Sequence, residues 1–208
     1  MKTTHFTQQQ VSEVASSLNL GHIIAIPTDT VYGLGVLATN KDAIKRLKAI
    51  KQRPHDKAFA YMVDSLAKIE EVCELTDRDR YLIHKYLPGP LTFIFKKKKQ
   101  FYLYQESMLE TLAVRIPDHP FVLDVISQLD VGLYVPSANI SNSPSTINSD
   151  EVIDIFENKI EGIVLGKAFN GQASTIIDCS EKELKLIREG VVDFDTILNE
   201  VKLYEGNL

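Results

Sequence analysis

The run Ile23-Ile24-Ala25-Ile26 passes without a polar linker into Pro27-Thr28-Asp29-Thr30-Val31-Tyr32-Gly33-Leu34-Gly35. Consecutive apolar residues suit a buried strand, and proline has no N–H to give a sheet ladder, so the strand ends at Pro27. That ending delivers Thr28, Asp29 and Thr30 to the rim of a sheet, where short oxygen-bearing side chains can meet a small polar ligand. The two glycines let backbone approach a bound molecule or permit a tight turn. Ordinary strand-to-loop turns use the same residue types, so the motif's companions must decide between the two.

Helical and extended patterns alternate along the rest of the chain. Thr7 and Gln10 have capping-box spacing ahead of Val11, Val14, Ala15 and Leu18, and Gly21 stops that helix. Asn40 caps a second helix with Ala43, Ile44, Leu47 and Ile50 on one stripe, which Pro54 forbids to continue. Strands are expected over 22–26, 58–63, 91–95, 112–116, 132–135, 162–165, 174–178 and 184–188. Further helices are expected over 64–73, 76–87, 120–129, 151–156 with Ser149 as cap, and 194–201. Such mixing predicts an α/β (α+β mixed) chain with a central sheet and helices packed against it.

With 208 residues and 44% hydrophobic composition, the chain suits one well-buried domain over 1–208. A net charge of −5 offers no bulk attraction to nucleic acid or an anionic membrane, so any anion site must be local. Cys73 and Cys179 are far apart, against a zinc cluster or disulfide framework and in keeping with a reducing compartment. The polar start and the absence of an apolar stretch near the roughly 20 residues that span a bilayer point to a cytoplasmic location and no membrane partner.

Four clusters could carry chemistry. Between Lys41 and Lys57 lie seven Lys or Arg against two Asp, ending in Lys51-Gln52-Arg53-Pro54-His55-Asp56-Lys57. The bend at Pro54 lets these cations converge, which suits a polyphosphate: Arg grips oxygens bidentately and Lys acts as a point charge. Pro88-Gly89-Pro90-Leu91-Thr92 is rigid turn chemistry ahead of a strand. Arg115 stands inside Leu112-Ala113-Val114-Arg115-Ile116-Pro117 and must face solvent or a partner, because an unpaired buried guanidinium is very costly. Between Pro136 and Pro144 lie Ser137, Asn139, Ser141, Asn142 and Ser143, neutral groups able to hydrogen-bond phosphate oxygens, or simply a polar loop. Ser174-Thr175 and Arg188 repeat the theme of polar groups at strand ends, where open α/β sheets hold ligands. The histidines show no metal-ligand spacing, and neither a Gly-x-Ser-x-Gly elbow nor a P-loop occurs.

Taken in order, Pro-Thr-Asp-Thr-Val-Tyr-Gly-Leu-Gly, Lys-Gln-Arg-Pro-x-x-Lys, Pro-Gly-Pro-Leu-Thr, Ala-Val-Arg-Ile-Pro-x-His-Pro, Pro-Ser-Ala-Asn-Ile-Ser, Ser-Thr-Ile-Ile-Asp and Ile-Arg-Glu-Gly resemble the YrdC-like threonylcarbamoyl-AMP synthase family over residues 7–202. The resemblance implies an open, twisted mixed sheet flanked by helices, with a concave ligand face, in the short single-domain form. It implies condensation of L-threonine, bicarbonate or carbon dioxide, and ATP into threonylcarbamoyl-AMP and pyrophosphate. A downstream transferase complex then uses that product to modify tRNA.

By the same resemblance, Thr30, Arg115, Val135 and Ser174 fall on threonine-contact positions. Arg53, Lys57, Thr111, Ser137, Asn139, Ser145 and Arg188 fall on ATP-contact positions, with Lys51, Arg53 and Lys57 as the catalytic basic set. Magnesium is expected to arrive with ATP, without a metal site of the protein's own. Met62 replaces a polar residue that some longer members carry at a threonine-contacting position, and Asn142 stands where many relatives have glycine. Two other activities fit the same fold: a nonenzymatic protein binding double-stranded RNA or tRNA, and carbamoyl-adenylate chemistry from carbamoyl phosphate.

Overall fold

The computed structural model describes residues 2–53, 58–105 and 109–206. Each apolar run expected to be extended forms a strand, and three further strands join them. The strands are β1 (Thr4–Phe6), β2 (Ile24–Ile26), β3 (Gly33–Leu37), β4 (Tyr61–Met62), β5 (Cys73–Glu74), β6 (Leu91–Lys97), β7 (Thr111–Arg115), β8 (Leu133–Tyr134), β9 (Gly162–Val164), β10 (Thr175–Asp178) and β11 (Lys185–Arg188). The helices are α1 (Val11–Asn19), α2 (Lys41–Ile50), α3 (Leu66–Val72), α4 (Asp77–Tyr86), α5 (Pro120–Ser127), α6 (Ser149–Phe156) and α7 (Phe194–Gly206).

The sheet order is β1-β9-β2-β3-β8-β4-β7-β6-β10-β11, and β5 pairs the far end of β6, beyond the stretch that pairs β10. β9 runs parallel to β1 and β2, β4 to β7, and β6 to β10, while the remaining pairs are antiparallel, so the sheet is mixed.

Side chains alternate across a strand, and β2 shows what that does here. Ile24 and Ile26 pack with Val14, Ala15 and Leu18 of α1 and Phe121, Val122, Val125 and Ile126 of α5. Ile23 and Ala25 join the other buried cluster, with Ala43, Ile44 and Leu47 of α2, Leu82 and Ile83 of α4, and Val152 and Phe156 of α6. The result is a sheet between two helical layers, with alternate residues of β2 committed to one or the other.

Helix starts differ from expectation where two capping residues compete. Asn40 caps α2, accepting from Ala43 N–H at 3.0 Å. At α6 the cap is Asn148 rather than Ser149: Asn148 accepts from Glu151 N–H at 3.0 Å and gives its own amide N–H to the Glu151 carboxylate at 2.8 Å, so the one amide makes both bonds. At α1 only the return half of the expected box forms. Gln10 accepts from Thr7 N–H at 3.0 Å, and the helix begins later, at Val11.

The second half of the opening motif is also strand. Gly33 and Gly35 pair with Ile26 and Ile24, so neither makes a tight turn. At Gly33 a Cβ would lie 2.3 Å from Val135 Cγ1, so this glycine serves strand-to-strand approach. Cys73 and Cys179 are buried free thiols, and no helix among the described residues is long and apolar enough to cross a membrane.

Candidate functional site

Strand ends meet on one side of the sheet. Arg115, the last residue of β7, is only 5% exposed and has found its partner inside the protein. Its guanidinium donates to Asp29 Oδ1 at 2.7 Å, to Thr30 Oγ1 at 2.9 Å and to the Gly89 carbonyl at 3.1 Å. Burial pushes the guanidinium below its ordinary range, and the Asp29 carboxylate opposes that push. The rigid turn at 88–90 thus supplies an acceptor to the site as well as leading into β6.

The Thr28-Asp29-Thr30 turn is itself held from two sides. Thr28 Oγ1 donates to the Val31 carbonyl at 2.7 Å and accepts from Thr30 N–H at 3.1 Å. Across the turn, Phe169 and Gly171 N–H donate to the Thr28 and Thr30 carbonyls, and Asn170 Nδ2 donates to the Asp29 carbonyl at 2.7 Å.

Opposite lies a second group of polar side chains. Arg188, at the end of the edge strand β11, turns back so that Nε and Nη2 reach the Ser174 carbonyl at 3.1 and 2.8 Å, with Nη2 also 3.1 Å from Ser174 Oγ. Ser174 Oγ is 2.8 Å from Thr92 Oγ1. Arg53, just beyond α2, lies over the Phe59 ring at 5.1 Å and donates to the Ala58 carbonyl at 2.8 Å. Burial, then Arg115, then Arg53 all hold the Arg188 guanidinium below its ordinary range, so the three cations sense one another.

Between these walls is a cavity of about 280 Å³ lined by Thr30, Arg53, Met62, Thr111, Arg115, Val135, Ser137, Ser174 and Arg188, with apolar neighbours such as Phe59 and Ile187. No carboxylate lines it among the described residues. A locally positive cavity in a chain of net charge −5 favours anions over cations.

Eight of the residues expected at the site therefore share one cavity: Thr30, Arg53, Thr111, Arg115, Val135, Ser137, Ser174 and Arg188. Lys57 lies outside the described residues, as do Pro54, His55 and Asp56. Lys51, Asn139 and Ser145 are not on the cavity wall. Lys51 is enclosed, 1% exposed, with its ammonium on the Ser137 carbonyl, the Asn139 carbonyl at 2.7 Å and Asn139 Oδ1 at 3.1 Å. Burial, with Arg53 nearby as the lesser cause, lowers its pKa to about 8. Gln52 between Lys51 and Arg53 has φ +51°, a left-handed turn that sends the two cations different ways.

Asp29, expected at the sheet rim to meet a ligand, is instead buried and paired with Arg115. An arginine within an apolar strand was the signal: it demands a buried acid, and Asp29 is that acid. His119, just ahead of α5, is buried and stacks on Phe169 at 4.6 Å, and burial lowers its pKa while Asp29 pulls the other way.

Comparison with known proteins places this geometry in context. The model of the Sua5/YciO/YrdC family, described as telomere recombination, matches residues 16–190. A Bacillus subtilis protein named threonylcarbamoyl-AMP synthase is 32% identical over 191 residues, which cover 90% of this chain and 55% of that protein. A protein of the same name from Pyrococcus abyssi is 32% identical over 195 residues, covering 91% of this chain and 57% of the relative. The chain thus spans little more than half the length of these relatives. The crystal structure of P. abyssi Sua5 complexed with L-threonine superposes with a TM-score of 0.89 at 31% identity, covering 97% of this chain and 61% of that one.

Proposed function

Because this chain belongs to the Sua5/YciO/YrdC family, we propose that it is a threonylcarbamoyl-AMP synthase, joining L-threonine, carbon dioxide or bicarbonate, and ATP with release of pyrophosphate. The observation that carries this reading is the convergence of Arg53, Arg115 and Arg188 on one cavity without a lining carboxylate. Two anions, an amino-acid carboxylate and a polyphosphate, need such a site. The P. abyssi relative solved with L-threonine supports the choice of amino acid.

In this reading Arg115 and the Thr30 hydroxyl take the threonine carboxylate, with Ser174 and the Val135 backbone completing the pocket. Arg53, Arg188, Thr111 and Ser137 take the phosphates, joined by Lys57, Asn139 and Ser145 from outside the described wall. The threonine amine captures carbon dioxide and loses a proton to give a carbamate. A carbamate oxygen attacks the α-phosphorus, an O–P bond forms, and the bond to the pyrophosphate leaving group breaks. The substrates supply their own nucleophile, so the protein contributes positioning and cations aimed at charge that builds on the α-phosphate and leaving group. A volume near the lower end of the usual ligand-pocket range, about 300–1,000 Å³, suits enclosure of the amino acid and reacting phosphates only.

Hydroxyls and guanidiniums are a poor donor set for a divalent cation, and among the described residues no group of three His, Cys, Asp or Glu side chains could hold one. Magnesium is accordingly assigned to the nucleotide's phosphates, and transfer of the product to tRNA to a separate transferase complex in the cytoplasm.

The test is pyrophosphate release. Purified protein with ATP, L-threonine and bicarbonate is expected to form it, and omission of threonine is expected to abolish it. Turnover with carbamoyl phosphate in place of threonine would assign the chain to carbamoyl-adenylate chemistry. A tight, salt-sensitive double-stranded RNA complex without any turnover would overturn the enzyme reading.

A further inference from the structure

We infer that Lys51 is a positioning residue: its ammonium ties the end of α2 to the 137–143 loop, and it acts on the nucleotide side of the cavity through Ser137 and Asn139 without touching the ligand. The nature of that ligand rests on the synthase reading above; the anchor itself rests on geometry alone.

A lysine ammonium has three N–H donors, and here it meets three acceptors, the Ser137 carbonyl, the Asn139 carbonyl and Asn139 Oδ1. The same residue anchors the loop a second time, because Ser141 N–H donates to the Lys51 carbonyl at 2.9 Å. Within the loop, Ser137 Oγ donates to Asn139 Oδ1 at 2.6 Å, so Lys51 and Ser137 converge on one amide oxygen. The far side of the loop is tied to the strand region, with Ala138 N–H on the Tyr32 carbonyl at 2.7 Å. Lys51 therefore links the basic segment that carries Arg53 to the polar segment that carries Ser137, and both of those residues line the cavity.

The left-handed backbone at Gln52 separates the tasks of its neighbours. Arg53 turns to the cavity, while Lys51 turns into an enclosed niche off its wall. Leaving the niche for a phosphate would break bonds that the phosphate could at most replace. A niche shaped around a tetrahedral ammonium also has no place for a planar guanidinium. Charge alone is then insufficient, which separates anchoring from a direct phosphate contact.

The experiment compares the parent with Lys51→Met and Lys51→Arg by amide hydrogen exchange without ligand and by titration with an α,β-methylene ATP analogue. Both variants are expected to exchange Ala138 and Ser141 at least about tenfold faster than the parent, and to bind the analogue at least about tenfold more weakly. Unchanged exchange at these amides overturns the proposal, and so does faster exchange with unchanged analogue affinity. Full recovery of both readouts by Lys51→Arg overturns it too, because only the charge would then matter. If neither variant folds, Asn139→Ala removes one acceptor and is expected to move both readouts in the same directions, with no movement refuting the anchor. A parent protein that fails to bind the analogue would overturn the synthase reading instead, while its exchange rates still decide the anchor.

Discussion

The Arg115–Asp29 pair lends itself to a double-mutant cycle. Both side chains are almost fully enclosed, 6% and 4% exposed, and their atoms are 2.7 Å apart. Removing one partner from such a pair leaves a buried charge uncompensated, at a cost of about 3–5 kcal/mol, whereas replacing both by apolar groups of similar volume is often near neutral. Arg115→Met strips Asp29 Oδ1 of its donor, and Oδ2 is already without one among the described residues. Asp29→Leu leaves the guanidinium with only the Thr30 hydroxyl and the Gly89 carbonyl. Each single variant is expected to lose about 3–5 kcal/mol in urea unfolding. At about 2.1 cal/mol/K per residue of unfolding entropy this lowers Tm by roughly 7–11 °C. The double variant should recover at least about 2 kcal/mol relative to the sum of the singles. The urea m-value should stay constant across the cycle, so that changes in midpoint report stability. Additivity within about 0.5 kcal/mol, or single losses below about 1 kcal/mol, would refute the claim that each charge exists to neutralise the other.

Arg53→Ala is expected to weaken an ATP analogue at least tenfold with little effect on threonine, and Arg115→Lys to do the reverse; calorimetric titrations showing equal losses of both ligands in both variants would mean the two pockets are misassigned. Arg188→Ala should weaken both ligands together, because the Arg188 guanidinium holds the Ser174 backbone and hydroxyl as well as facing the cavity, and a loss confined to one ligand would contradict that coupling. Lys51 has a folded pKa of about 8, below its unfolded value of about 10.5, so the stability of the fold is expected to gain as pH rises from about 8 toward about 10.5. That gain amounts to roughly 3 kcal/mol at full titration. Urea unfolding at pH 7.5 and 10.5 should show it as a pH dependence present in the parent and missing in Lys51→Met, and identical pH dependence in both proteins would refute it.

Local chemistry made much of the architecture legible before any coordinates. The Asn40 cap and the apolar stripe ending at Ile50 match the start and reach of α2, because propensity, capping and packing agree there. β3 was missed because its glycines suggested a turn, whereas glycine here makes room for Val135 of the neighbouring segment. Nothing short of the pairing itself could have shown that. β1 and β5, Thr-His-Phe and Cys-Glu, lack the apolar runs that marked the similarly short β4 and β8. At the site, the family resemblance supplied eight cavity-lining residues, and residue type alone would not have found Thr111 among them. Lys51 was grouped with Arg53 and Lys57 as one basic set because a cation in a basic run carries no record of which way it points. One left-handed residue, Gln52, decides that, and glutamine is not a residue from which a left-handed turn is read.

Asp29 has a further consequence for how the amino-acid pocket works. A guanidinium that already shares its charge with a buried carboxylate presents a weakened field to an incoming one, so Arg115 is held in place at the expense of grip. In the proposed synthase, threonine is expected to exchange rapidly, and the product to leave without a large electrostatic debt at Arg115.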